Sequence, residues 1–288
     1  MLPVYNAGPA LLPAVWSILR QSLRDWELLI LDDASTDTAL APLDGIADDR
    51  VRIVRDPVRR GLAGRLNIGI ETARGSYFAR MDQDDIAFPL RLQQQVEYLD
   101  GHRDTELLGT RALVFSEKGK VLGLMPFKHD HESICRRPWL GFHLPHPTWM
   151  GRADWFRRYR YRIPEPKRAE DQDLLLRTYA TSRFACLPEV LLGYRISAAG
   201  FGKILTARMS VGRAQLRNHL RGGRPGLAIL GAGASLAKAC VDTALAATGK
   251  TLHTARGLER PVAPPVLAEW QRLWREASEW AAVMRKTG

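Results

Sequence analysis

The chain has 288 residues, 45% of them hydrophobic and 25% charged, a balance that excludes a mainly disordered protein. That length holds one large domain, or a domain of about 200 residues with an appendage. The net charge is +11, and three scattered cysteines (Cys135, Cys186, Cys240) without a CxxC pair argue against a disulfide scaffold or a cysteine zinc site and fit reduced thiols in the cytosol.

Reading from the start, Pro3, Asn6, Pro9 and Pro13 interrupt any apolar leader, so no signal peptide is expected. Residues 10–21 place Leu11, Leu12, Val15, Trp16, Ile18 and Leu19 on one broad helical face. The apolar run 26–31 stops at Asp32-Asp33 and predicts a buried strand; residues 51–54 predict another. Residues 61–74 repeat apolar positions every three or four and end before Gly75, as a helix does. The strand-like run 76–81 leads directly into Asp82, and Pro89 then opens a helix through Leu99. Alternating strands and helices predict a parallel sheet with right-handed crossovers, which binds ligands at the carboxyl ends of its strands. Beyond residue 105 come a hairpin (106–115 with 121–124), a helix at 169–181 and strands at 183–186 and 191–196. Three helical stretches follow residue 200, where the domain boundary is placed.

The last third is basic, with 14 Lys/Arg against 5 Asp/Glu from residue 200 onward. Such a surplus suits nucleic acid, an anionic membrane or an acidic partner, or is simply a solvated surface. It lies outside the sheet and lacks interleaved aromatics, which argues against nucleic acid. Residues 225–249 are rich in small apolar residues but carry Lys238 and Asp242, which predicts a packed or interfacial helix. Trp270, Leu273, Trp274, Ala277 and Ala281 form an amphipathic face that suggests contact with a membrane.

Three acidic clusters carry candidate chemistry. Asp82-Gln83-Asp84-Asp85 follows a strand, where carboxylates one residue apart can hold a hard divalent cation, or simply cap a turn. Asp32-Asp33 can accept hydrogen bonds from a base or ribose, or start a helix. Glu170-Asp171-Gln172-Asp173 opens a helix and can supply a general base, or merely match the helix dipole. Each is weak alone; together, on one α/β chain, they weigh more.

The segments Pro3-Val4-Tyr5-Asn6, Leu31-Asp32-Asp33-Ala34-Ser35-Thr36-Asp37, Leu66-Asn67-Ile68-Gly69, Ala79-Arg80-Met81-Asp82-Gln83-Asp84-Asp85 and Glu170-Asp171-Gln172-Asp173-Leu174, in this order and spacing, resemble family 2 glycosyltransferases of the GT-A fold across roughly residues 1–200. The resemblance implies an α/β fold with a mostly parallel, Rossmann-like sheet flanked by helices; the basic helical region at 201–288, read from its own residues, lies beyond it. It implies an inverting transfer of sugar from a nucleoside-diphosphate donor, a UDP-sugar first, to a saccharide or lipid-linked acceptor in surface polysaccharide or glycolipid synthesis. The cofactor would be Mg²⁺ or Mn²⁺, and the location the cytoplasm, peripheral to the inner face of a membrane.

Carried over by position, Pro3 and Tyr5 match the loop that cradles the nucleobase and Asp33 the residue that hydrogen-bonds it. Asp84 matches the metal ligand and Asp82 its partner at the ribose or metal. Asp171 matches the catalytic base and Glu170 its acceptor-side neighbour. His146 matches an acceptor-side segment, and Arg195 is available for a phosphate. Two departures stand out. Only Met1-Leu2 precede the Pro3 motif, predicting a first strand that is nearly absent, with core and backbone exposed. Ser197 stands where relatives often carry a histidine. These departures motivate an alternative, a non-catalytic nucleotide-sugar-binding relative or membrane-associated scaffold. A nucleotidyltransferase would need a Gly-rich basic phosphate loop, and residues 3–9 do not supply one.

Overall fold

A computed structural model describes residues 1–164, 168–196, 201–247 and 257–287; Ser197 lies outside the described residues. Strand β1 (Leu2–Val4) is followed by helix α1 (Leu11–Leu19), β2 (Leu28–Asp33), β3 (Val51–Asp56) and helix α2 (Gly61–Thr72). The three strands form a parallel sheet with β2 in the middle. Both faces of β2 are covered, which explains its unbroken apolar sequence. Leu28 and Ile30 join Leu11, Val15 and Ile18 of α1, while Leu29 and Leu31 pack with Ala63, Leu66 and Ile70 of α2.

The first strand is not the gap that the sequence predicts. Leu2, Pro3 and Val4 pair with Ile30, Leu31 and Asp32, and all three are buried. The Met1 amino group donates to the Ala79 carbonyl at 2.8 Å, and the Met81 N–H donates to the Met1 carbonyl at 3.2 Å. These bonds also tie β1 to the end of β4 (Tyr77–Ala79), the first strand of a second sheet.

That second sheet adds β5 (Ile86–Ala87), β6 (Thr105–Ser116), β7 (Val121–Leu124), β8 (Met150–Arg152) and β9 (Arg183–Ile196), interleaved with helices α3 (Arg91–Gly101), α4 (His131–Cys135), α5 (Ala153–Arg158) and α6 (Glu170–Thr178). Its order is β4-β8-β6-β9-β5, with β7 pairing β6 in the expected hairpin. Here β6 and β9 run parallel and the other pairs antiparallel, so the parallel pattern of the first sheet continues only in part. The two strand-like runs at 183–186 and 191–196 are one strand. Its register jumps from Leu187 to Val190, skipping Pro188, whose missing N–H cannot join a ladder.

Helices α7 (Phe201–Arg221), α8 (Pro225–Ala247) and α9 (Pro264–Thr287) complete the chain. The membrane role expected for the α9 face is corrected. Trp270, Leu273, Ala277 and Ala281 are buried in the core, where Trp270 packs on Phe115 with ring centroids 4.5 Å apart and donates from Nε1 to the Gly119 carbonyl at 2.9 Å. Gly193 of β9 makes room for this ring, since a Cβ there would stand 2.3 Å from it. A stripe of Trp, Leu and Ala has the same spacing whether it faces a core or a lipid. Packing decides.

Candidate active site

The loop after β2 is braced from several directions. Asn6 accepts from the Thr36 and Asp37 N–H groups at 2.8 and 3.3 Å, and Asp37 accepts from the Gly8 N–H at 2.8 Å. Asn6 and Ala34 hold positive φ, a strained choice for residues other than glycine. Pro3 is buried inside β1, so of the predicted base-cradling pair it is Tyr5 that reaches the surface. The Arg59 guanidinium lies 3.8 Å from the Tyr5 ring centroid. Asp33 is buried and occupied: it accepts from the Arg60 and Gly61 N–H groups at 2.7 and 3.0 Å, capping α2 from a distance, and from Arg65 Nε at 2.7 Å.

The loop after β4 carries the paired carboxylates. Gln83 between them, a residue that sequence reasoning passes over, accepts from the Tyr5 N–H at 2.7 Å and donates to its carbonyl at 3.3 Å. The middle residue of the acidic motif thus fastens it to the base-side loop. Burial and then Asp82 push the Asp84 carboxyl up to about 6. Asp85 is fully buried, and burial followed by Asp82 and Asp84 raises it well above the ordinary range. Arg195, expected to be available for a phosphate, also contacts the acidic loop. Its Nε donates to the Asp84 carbonyl at 2.8 Å, its N–H to Asp85 Oδ1 at 2.9 Å, and its guanidinium stacks near Phe115 and Trp274. It braces the acidic loop because β9 runs alongside β5.

On the other side, the four acidic-cluster residues at the start of α6 divide by helix face. Glu170 and Asp171 turn toward a cavity; Asp173 turns away, fully buried, and receives Arg162 Nε at 3.1 Å, Arg177 Nε at 3.0 Å and Asn218 Nδ2 at 2.9 Å. Burial and then Glu170 raise the Asp171 carboxyl, while Gln172 Nε2 donates to it at 3.2 Å. Burial raises Glu170 as well. His146 lines the same cavity. Its Nδ1 stands 3.6 Å from Glu170 Oε1, and its Nε2 is 2.7 Å from the Tyr161 hydroxyl. Burial and then Arg80 hold His146 down to about 3, so it is a neutral imidazole. Burial raises the Tyr161 phenol, leaving it the natural donor to Nε2, which places the imidazole proton on Nδ1, facing Glu170.

One cavity of about 780 Å³ brings these halves together: Arg80, Asp82, His146, Glu170, Asp171 and Tyr194 all line it. Arg80 was hidden within a strand-like run, where a charge is itself a signal. It is buried, it pairs with Asp82, and its Nε and Nη1 have no hydrogen-bond partner among the described residues. A second cavity, of about 590 Å³, lies at the amino ends of β1, β2 and β4 beside Trp26 and Glu27, away from the paired carboxylates. No group of three or more His, Cys, Asp or Glu side chains among the described residues could hold a metal unaided. Asp82 and Asp84 nevertheless fit a hard cation that keeps other oxygen ligands from a substrate, since their donors are carboxylates whose mutual repulsion a cation relieves.

The model of the family "Glycosyl transferase family 2" matches residues 1–160. A Bacillus subtilis protein named as a glycosyltransferase, EpsE, is 36% identical over 185 residues, covering 62% of this chain and 65% of its own length. An Escherichia coli enzyme, the UDP-Glc:alpha-D-GlcNAc-diphosphoundecaprenol beta-1,3-glucosyltransferase WfgD, is 30% identical over 34% of this chain and 39% of its own. The chain thus spans just under two thirds of the EpsE relative's length. Among solved structures, Staphylococcus aureus TarS 1–349 with UDP-GlcNAc superposes with a TM-score of 0.59 at 15% identity, covering 97% of this chain and 80% of that one. The mannosyltransferase PcManGT from Pyrobaculum calidifontis, in complex with GDP-Man and Mn²⁺, also gives 0.59, at 17% identity over 99% and 84%. At such identities the likeness is one of fold, and that fold is GT-A.

Proposed function

The chain belongs to glycosyltransferase family 2, and we propose that it transfers a sugar from a nucleoside-diphosphate donor to an acceptor hydroxyl with inversion at the anomeric carbon. One observation carries this reading: Asp82 of the paired carboxylates and Asp171 of α6 line the same cavity. Tyr5, joined to the acidic loop through Gln83, would form the base-side shelf together with Asp33. UDP-GlcNAc and GDP-Man in the two structural neighbours support a nucleotide-sugar, with a UDP-sugar our first choice.

Asp171 accepts the proton of the acceptor hydroxyl as the oxygen attacks the anomeric carbon; its raised affinity for a proton suits a base working near neutral pH. Gln172 fixes the orientation of Asp171, and neutral His146 steadies Glu170 without adding charge. Asp84, with Asp82, would hold Mg²⁺ or Mn²⁺, which when bound supplies positive charge against the departing diphosphate. Burial of these groups strengthens every electrostatic contact, and their fixed positions lower the cost of orienting two substrates.

The WfgD name describes a saccharide acceptor on a diphosphate lipid, and we assign this chain an acceptor of the same kind, in polysaccharide or glycolipid synthesis at the inner face of a membrane. In our reading residues 1–200 are the catalytic unit, with α9 packed back onto it. A panel of nucleotide-sugars, assayed for hydrolysis and transfer with Mn²⁺ and with chelator, tests the proposal. Asp84→Ala and Asp171→Asn should each lower turnover at least about a hundredfold. Full activity in either, in folded protein, refutes the assignment.

A further inference from the structure

The edge of β7 is taken by residues 257–260, which lie between α8 and α9 in the chain. The Leu124 and Glu259 backbones exchange both hydrogen bonds, at 2.9 and 3.1 Å, and Arg260 Nε donates to the Leu122 carbonyl at 2.6 Å. Glu259 also pairs with Arg111 of β6. Gly123 of β7 holds a φ of 153°, and a Cβ on it would stand 2.9 Å from Leu258 Cβ and 3.1 Å from the Glu259 carbonyl oxygen. Only a glycine lets the segment lie so close. Backbone, side-chain and steric fit together make it a fixed strap across the sheet.

Leu258 of this strap lines the cavity that holds Asp82, Glu170 and Asp171, together with Met125 and Pro126 just past β7. Leu258 and Met125 are half-buried and Pro126 is exposed, so each keeps surface for a ligand. Hydrogen bonds and packing connect this apolar ledge to Asp171. Gln172, which donates to Asp171, also exchanges hydrogen bonds with the Phe142 backbone at 2.9 and 3.3 Å. Leu144 follows, seated over Gly109 of β6, where a Cβ would stand 2.5 Å from its Cδ1. Further along β6, the Ala112 carbonyl accepts from the Met125 N–H at 2.8 Å. The cavity wall therefore runs from Asp171 past Phe142 and Leu144 to the ledge, and the residues along it are apolar. Tyr5 and Asp33 are outside the cavity lining, so the base-side shelf does not compete for this space.

We propose that Leu258, Met125 and Pro126 form an acceptor subsite for an apolar substituent near the hydroxyl that Asp171 activates, with Leu258 setting the preference. The inference rests on the reading of Asp171 as the base, and it extends the catalytic unit beyond residue 200. A hydroxyl-bearing sugar edge would leave polar groups unpaired against three apolar side chains, whereas an alkyl chain or a methyl group gains by leaving water. That substituent comes from an alkyl aglycone or from an acetamido methyl on the sugar, and the probes separate the two. Octyl β-D-glucoside below its micelle concentration, N-acetylglucosamine and glucose are titrated into the full chain labelled with ¹³C-methyl methionine. The Met125 signal, identified by its loss in Met125→Leu, should move with one of the first two at least about tenfold more tightly than with glucose. Leu258→Asn should cut that advantage to about threefold or less, while Leu258→Met keeps it. Should Leu258→Asn lower the melt, Pro126→Asn at an exposed position makes the same test with the strap untouched. Equal affinity for all three sugars, or an advantage that survives the asparagine variants, overturns the proposal. So does a Met125 signal that UDP-GlcNAc moves and the acceptor probes do not, which gives the ledge to the donor. Binding is read without metal, donor or turnover, so this subsite and the transfer reaction can each fail alone.

Discussion

Asp171 and Asp173 stand two residues apart, and exchanging each for asparagine should have opposite consequences. Asp173 is fully buried and receives Arg162, Arg177 and Asn218, the last of which ties α6 to α7. Removing one member of a buried ionic cluster costs roughly 3–5 kcal/mol. Arg162 and Arg177 keep 22% and 24% side-chain exposure and can turn partly to water, which favours the lower end. Asp173→Asn should therefore lose about 3 kcal/mol, or about 6–9 °C in Tm for a chain of this size. Asp171 behaves otherwise. Its folded carboxyl binds a proton more tightly than the unfolded one, so its contribution to stability falls as pH rises from the ordinary carboxylate value through the raised one. Asp171→Asn should thus melt at or above the wild-type temperature at neutral pH, with the difference closing in acid, while turnover falls at least about a hundredfold. Calorimetric melts at two pH values, beside a sugar-transfer assay, measure both. An Asp173→Asn protein that melts with the wild type, or an Asp171→Asn protein that melts well below it, would refute this division of roles.

Arg195→Gln removes the guanidinium bond to the Asp84 carbonyl and should raise the Mn²⁺ needed for half-maximal activity about tenfold, with turnover at saturating metal nearly kept. An unchanged metal titration would exclude the bracing role. The acid limb of kcat/KM should lie above the ordinary aspartate range, because Asp171 must be ionised to act, and neutral His146 should contribute no limb. A limb at the usual imidazole value that vanishes in His146→Gln would contradict this. Trp270→Ala should cost about 3–5 kcal/mol in denaturant unfolding, as for a core aromatic; a loss under 1 kcal/mol would mean that α9 is an appendage.

Much of this was legible in the sequence. The apolar run before Asp32-Asp33 marks β2, which is buried on both faces and turns polar only in its last two residues; the run before Asp82 holds the three-residue β4, which ends at Ala79. What the sequence could not give was the partner. Arg65, which reaches Asp33 from 32 positions away, has no periodic signature, and Gln83 is legible only when the base-side loop lies beside it. In the cluster at 170–173, two residues turn a helix by about 200°, so one acid faces the cavity and the other α7, and nothing local distinguishes them. Strands β5 and β8, two and three residues long, are too short for any pattern to emerge. Helices α8 and α9 show the deepest limit: the α9 stripe that suggests a membrane face is core, while in α8, read as a packed or interfacial helix, the charges pack inward and Ile229, Leu230 and Leu236 stay exposed.

The two halves of the site come from positions about ninety residues apart, and Arg80 and Arg91 hold them in register. Arg91 Nη2 donates to the Arg80 carbonyl at 2.6 Å and to the Pro147 carbonyl at 2.8 Å, and the Arg80 N–H donates to the Trp149 carbonyl at 2.9 Å. Its guanidinium, paired with Asp82, also acts on Glu170 and His146. Asp82, Asp84, Asp85 and Glu170 all feel this buried guanidinium, and Asp171 adjoins Glu170, so carboxyls crowd together where solvent is scarce. Such an arrangement costs stability, as the raised Asp84, Asp85, Glu170 and Asp171 carboxyls record. A fold selected for stability alone would have spread these acids over its surface. Asp82, Glu170 and Asp171 at one cavity, with Asp84 and Asp85 in the loop beside it, are intelligible if the chemistry needs a base that holds protons tightly on one side and paired oxygens for a cation on the other.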